Sequence, residues 1–276
     1  MSKPVALITG CSSGIGQALA QVCLDAGYSV YATARNPDSL ASLTARGAIA
    51  VTLDVNDAEQ VAACSERLRN EAGRLDLLVN NAGYGAMGPV LDADRETLLQ
   101  QFNTNVFAPL ELVRAHADLL RAARGLIVNI GSVSGVTTTP FSGVYCASKA
   151  ALHSLSDALR LELAPFGISV LTVQPGAIAS EFGNNASAAI TMAEDSWFKP
   201  WEKAVQARAT ASQKASSTSA RDFAEELMGY INKPLRPETA LIGASARSMV
   251  RLKRWLPTSI LDGQLRKRFG LDRKPD

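Results

Sequence analysis

Pro4-Val5-Ala6-Leu7-Ile8-Thr9-Gly10-Cys11-Ser12-Ser13-Gly14-Ile15-Gly16 runs from a short apolar stretch directly into a glycine-spaced turn. The apolar part predicts a buried strand, and residues 17–26, with apolar positions at helical spacing, predict a helix. Strand, glycine turn, helix suits a phosphate. Glycines let the backbone turn tightly and approach a pyrophosphate, whose charge meets unpaired amides and the positive end of the helix dipole. Gly10, Ser12, Ser13, Gly14, Ile15 and Gly16 are therefore candidate cofactor-binding positions. The spacing is G-x-x-x-G-x-G rather than the commoner G-x-G-x-x-G, and its place as the first strand-to-helix turn argues against a mere connector.

Working outward, residues 29–33 predict a second strand, followed by Ala34-Arg35-Asn36-Pro37. Dinucleotide sites choose their cofactor here, an acid holding the ribose hydroxyls of NAD or an arginine meeting the extra phosphate of NADP. The chain offers Arg35 and no acid, which favours NADP (NADPH) over NAD. Residues 48–53 predict a third strand ending in Asp54-Val55, where a carboxylate could accept from an adenine amino group or could instead cap the next helix. Residues 75–79 predict a fourth strand ending in Asn80-Asn81-Ala82-Gly83, small enough for a ligand to approach the backbone. Residues 126–130 read as another buried parallel strand, which sets Ser132 at a carboxyl end, where open α/β sheets carry their sites. In Tyr145-Cys146-Ala147-Ser148-Lys149, helical spacing stands a phenol beside an ammonium. A fixed cation there favours the phenolate and would make Tyr145 an acid or base. The pattern predicts a single doubly wound α/β domain, its sheet mostly parallel with helices on both faces.

The 276 residues are 47% hydrophobic and 20% charged, enough for one large or two small domains with a real core. Lys and Arg total 28 against 26 Asp and Glu, and a net charge of +2 gives no reason to expect nucleic acid as a partner. Cys11, Cys23, Cys64 and Cys146 form no C-x-x-C pair, and with His116 and His153 as the only histidines neither a metal centre nor a Ser-His-Asp triad is expected. Both histidines read as occupants of ordinary helix faces. The cysteines suit a reducing cytosol, and neither a leader before Val5 nor a bilayer-spanning run is apparent, so a cytoplasmic or membrane-peripheral location is expected.

Taken together, T-G-C-S-S-G-I-G at 9–16, N-N-A-G at 80–83, Asn105, Ser132, Y-C-A-S-K at 145–149 and Pro175-Gly176 resemble the short-chain dehydrogenase/reductase family in its single-domain form. The resemblance implies that Tyr145 gives a proton to a ketone or takes one from an alcohol. It also implies that Lys149 holds the nicotinamide ribose and lowers the Tyr145 pKa, that Ser132 hydrogen-bonds the carbonyl oxygen, and that Asn105 holds a water linking Lys149 to solvent. Asn81, Ala82, Gly83, Pro175, Gly176, Ile178 and Ser180 would complete the cofactor site. Many NADP-using members carry a basic residue where this chain has Ser13, which leaves the discrimination to Arg35.

Helices expected over 105–121 and 145–163 carry apolar stripes (Leu110, Val113, Leu120; Leu152, Leu155, Leu159), and in the family such helices pair subunits into a homodimer or homotetramer. Residues 1–245 would form the dinucleotide-binding and catalytic domain. Within it, 183–218 lacks clear periodicity and reads as a substrate lid carrying Trp197, Phe198, Pro200 and Trp201. Ser219 and Asp222 open a capped helix to residue 231, and Leu241-Ile242 reads as a last short strand. Residues 246–276 mix Arg247, Arg251, Lys253, Arg254 and Lys274 with Trp255 and Phe269, so this basic amphipathic extension is read either as a peripheral membrane contact or as a docked helix. The expected function is NADP-dependent hydride transfer to or from a small-molecule carbonyl or secondary alcohol. Resemblance to acyl-dihydroxyacetone-phosphate reductases, hydroxysteroid dehydrogenases and retinol dehydrogenases points to a bulky lipophilic substrate. A ketoacyl-thioester reductase, an NADP(H)-sensing binding protein and a membrane-docked scaffold are the alternatives.

Overall fold

Val5–Ile8 and Leu126–Ile130 are buried at every position, as strands inside a parallel sheet covered on both faces must be. The computed structural model describes residues 3–213 and 216–273. Its first half contains β1 (Val5–Ile8), α1 (Gly14–Asp25), β2 (Ser29–Ala34), α2 (Ala41–Thr44), β3 (Ile49–Thr52), α3 (Ala58–Glu71) and β4 (Leu77–Asn80). There follow α4 (Arg95–Phe102), α5 (Ala108–Ala115), α6 (Ala117–Ala123), β5 (Leu126–Ile130), α7 (Gly143–Leu163), β6 (Ser169–Pro175) and β7 (Ile178–Ala179). The last part adds α8 (Phe182–Ala188), α9 (Glu202–Ala209), β8 (Thr218–Ser219), α10 (Ala220–Ile231), β9 (Thr239–Ile242), α11 (Ala246–Trp255) and α12 (Thr258–Phe269).

Seven strands form one sheet in the order β3-β2-β1-β4-β5-β6-β9, every pair parallel. On one face Leu19, Val22 and Cys23 of α1 pack with Phe223, Leu227 and Ile231 of α10. On the other, Val61 and Leu68 of α3 meet Leu112 of α5 and Leu120 of α6. This is the doubly wound, Rossmann-type fold. The strand order reverses between β1 and β4, which leaves a crevice at their carboxyl ends, where such sheets bind ligands. The two turns there are tied together, because the Asn81 side-chain amide donates to the carbonyls of Thr9 (2.8 Å) and Gly10 (3.1 Å).

One stretch differs from the sequence expectation. The helix expected over 105–121 starts earlier, at Arg95, passes through a π-helical stretch at Asn103–Phe107, and breaks at buried His116. Through 183–218 run α8, a short 3-10 turn at Lys199–Trp201 and α9, while residues 214 and 215 lie outside the described residues. The extension forms α11 and α12 and docks on the body. The Trp201 indole N–H donates to the Gly270 carbonyl at 2.7 Å, and Phe269 meets Phe141 edge to face at 6.0 Å. Lys274 lies outside the described residues. Among these residues no helix is long and apolar enough to cross a membrane.

Candidate active site

Gly10 (φ +70°) and Gly14 (φ +58°) adopt left-handed backbone, which glycine reaches without steric cost. Between them the chain turns from β1 into α1, whose first turn holds no acidic residue and whose N-cap, Ser13, makes no side-chain cap bond. The amides there remain available to an anion, with the helix dipole behind them. Gly10, Ser12, Ser13, Gly14 and Ile15 line a cleft of about 1410 Å³ together with Arg35, Asp54, Val55, Asn81, Ala82, Gly83, Pro175, Gly176, Ile178 and Ser180. That exceeds the roughly 300–1,000 Å³ of a pocket for one small ligand, so there is room for a dinucleotide and a second molecule. Gly16 is different. It lies behind the turn, where a side chain would strike the Gly10 carbonyl and the Asn81 amide, so its contribution is close packing. Arg35 is exposed at the end of β2 and has no ion-pair partner among the described residues. Asp54 accepts from the Asn56 amide at 3.0 Å, whereas the cap of α3 is Asp57, bonded to the Glu59 and Gln60 amides. The donor set and the glycine cradle fit a pyrophosphate-bearing cofactor.

Farther along the same cleft stand Ser132, Tyr145 and Lys149, all buried. Tyr145 and Lys149 lie one turn apart on α7, as the spacing predicts. Lys149 Nζ donates to the Ile130 carbonyl at 2.8 Å, and burial pushes its ammonium down to about 8. Burial likewise raises the Tyr145 phenol, and the Ser132 hydroxyl and then the Arg208 guanidinium pull it back. The Lys149 ammonium is directed to that carbonyl and lies 6.0 Å from the Tyr145 ring centre. Asn105 sits in the π-helical stretch, fully buried. Its amide donates to the Tyr84 carbonyl (3.0 Å) and the Ser148 hydroxyl (3.1 Å), and its Oδ1 accepts from the Tyr84 amide (3.2 Å). The side chain thereby ties the loop after β4 to α7.

Two residues that the sequence reading passed over belong to this region. His153, one turn beyond Lys149, accepts from the Ser132 amide through Nε2 at 3.3 Å, and burial pushes its imidazole down to about 4. It is a neutral brace for the serine, not an occupant of an ordinary helix face. The equal spacing of Tyr145, Lys149 and His153 was the available signal. Arg208 of α9 reaches across from the lid, its Nε donating to Thr139 Oγ1 at 2.8 Å and an Nη to Ser134 Oγ at 3.4 Å. No local pattern flagged it. The four cysteines are buried and free, and burial pushes Cys11 and Cys23 up to about 12.

The family model for short chain dehydrogenase matches residues 4–191. A short-chain dehydrogenase of Penicillium crustosum is 43% identical over 235 residues, covering 84% of this chain and 85% of its own. An NADPH-dependent 1-acyldihydroxyacetone phosphate reductase of Saccharomyces cerevisiae is 32% identical over 277 residues, covering 98% and 93%. Among solved structures, a short chain dehydrogenase from Burkholderia cenocepacia in complex with NADP superposes with a TM-score of 0.76 at 26% identity, covering 96% of this chain and 98% of that one.

Proposed function

Because the chain belongs to the short-chain dehydrogenase family, we propose that it is an NADP-dependent oxidoreductase transferring hydride between the nicotinamide and a carbonyl or secondary alcohol. One observation carries the reading: buried Tyr145, Ser132 and Lys149 line the same cleft as an uncapped glycine turn. The cofactor supplies the hydride. The chain's residues do the rest. The Gly10–Gly14 turn and the first amides of α1 hold the pyrophosphate. Arg35, exposed and unpaired at the end of β2, meets the 2′-phosphate, in keeping with the NADPH-dependent reductase named among the relatives.

In the reductive direction negative charge develops on the carbonyl oxygen, and the hydroxyls of Ser132 and Tyr145 stabilise it before Tyr145 delivers its proton. The raised phenol keeps that proton in place at neutral pH, as a donor must. Lys149, charged below about 8, replaces the lost proton's charge and binds the nicotinamide ribose. Phe182 against the Tyr145 ring, with Met249, Leu252 and Phe269 of the extension, lines the substrate end and favours a bulky, lipophilic molecule. A homo-oligomer is favoured by exposed Leu98, Leu99, Phe107 and Leu110, which leave an apolar stripe along α4 and α5.

Fluorescence titration with NADPH and NADH, followed by a screen of lipophilic ketones, tests this reading. NADPH should bind more tightly, Arg35→Ala should remove the preference, and Tyr145→Phe should keep cofactor binding while lowering kcat roughly 10²- to 10⁴-fold. Turnover undiminished in Tyr145→Phe would overturn the reading.

A further inference from the structure

Arg208 is a cation in the wrong company for a structural arginine. It stands on α9 with part of its surface open to the cleft, and among the described residues no carboxylate lies within ion-pair distance. Its two hydrogen-bond partners, Thr139 and Ser134, are neutral hydroxyls on the segment between Ser132 and Tyr145. A guanidinium carries five N–H donors in a planar fork, so three remain without an acceptor among the described residues. Charges taken out of water are ordinarily paired. Arg268, on α12, lines the same cleft and is close enough for its charge to press against that of Arg208. Desolvation weighs on the Arg208 cation more than Arg268 does. Glu181 also lines the cleft, but it is exposed and bonded to the Asn184 amide.

Position excludes the cofactor's phosphates as the missing partner. Those belong to the turn after β1 and to Arg35, whereas Arg208 is anchored beside the tyrosine, near enough for its charge to act on the phenol. Building on the oxidoreductase reading, we propose that Arg208, assisted by Arg268, is the seat for an anionic oxygen group of the substrate, a phosphomonoester or carboxylate a few bonds from the reacting carbonyl. A planar fork already fixed through Nε and one Nη can offer its free edge to such a group in bidentate fashion. Because Arg268 and Phe269 are adjacent, the extension would supply both an aromatic wall and a second cation.

The test compares NADPH-driven reduction of two matched pairs: a 1-acyl-dihydroxyacetone against its 3-phosphate, and a long-chain oxo fatty acid against its methyl ester. Wild type should prefer the charged member of at least one pair, and which pair it is identifies phosphate or carboxylate. Arg208→Gln should shrink that preference roughly 10²-fold, with Arg208→Lys retaining part of it and Arg268→Gln giving a smaller loss. No preference in wild type overturns the proposal, as does an equal loss for both members in Arg208→Gln, the signature of a lid brace. NADPH binding weakened by Arg208→Gln as much as by Arg35→Ala would reassign the arginine to the cofactor and overturn it too. Should no ketone turn over, the oxidoreductase reading fails by itself. Calorimetry of the acyl-dihydroxyacetone phosphate against protein saturated with NADP then decides the seat, since binding lost in Arg208→Gln supports it and absence of binding in wild type overturns it.

Discussion

His153 accepts from the Ser132 amide, and the burial of its imidazole makes stability depend on acid. The imidazole titrates near 6.5 in an unfolded chain but at about 4 in the folded one. Between those values the unfolded state binds the extra proton, so the contribution is fully present above about pH 6.5 and is lost as pH falls toward 4. With its partial exposure allowed for, the loss should be about 2 kcal/mol. Denaturant melts of His153→Gln between pH 4 and 7 should flatten that slope. Tyr145 and Lys149 were legible in the sequence as a pair at helical spacing, and Ser132 as a residue just past the end of β5. His153 and Arg208 were not, because a brace and a cross-cleft cation are defined by what they touch after folding.

Elements were legible wherever local periodicity and turn chemistry agree. The strand, turn and helix of β1 and α1 announce themselves, and Ser219 caps α10 through the Asp222 amide at 3.0 Å as its spacing predicts. The helix around Asn105 was misjudged because one extra residue per turn in Asn103–Phe107 shifts the apolar phase, and a stretch of five residues is too short to reveal that. Gly16 shows why element packing matters to the cleft. Gly16→Ala would drive a methyl group into the Gly10 carbonyl and the Asn81 amide, the two groups that hold the turns of β1 and β4 together. Overpacking of this kind should cost about 1–3 kcal/mol and displace the phosphate cradle. Thermal melts should therefore fall, and NADPH titration should weaken in parallel. Stability loss with unchanged NADPH affinity would separate the glycine from the site.

For the whole molecule, the doubly wound architecture followed from the regular alternation of strand and helix, but the docking of α11 and α12 did not. Their basic and apolar residues suit a membrane surface or a protein surface equally, and the aromatic cluster of Phe141, Phe198, Trp201 and Phe269 forms only in three dimensions. Truncation before Thr258 should remove Phe269 and the Trp201 bond, costing about 2 kcal/mol, or about 4–8 °C in Tm. KM for bulky ketones should rise more than kcat falls. The sheet order carries one more implication. β1 comes before the other strands in chain order yet lies third in the finished seven-stranded sheet, flanked by β2 and by β4, which begins only at Leu77. Until that segment has been made, β1 presents a bare apolar rim to the cell, and a nascent chain of β1 to β3 is an invitation to self-association. The molecule is thus most vulnerable early in its synthesis, and a chaperone that shields this rim should raise its yield.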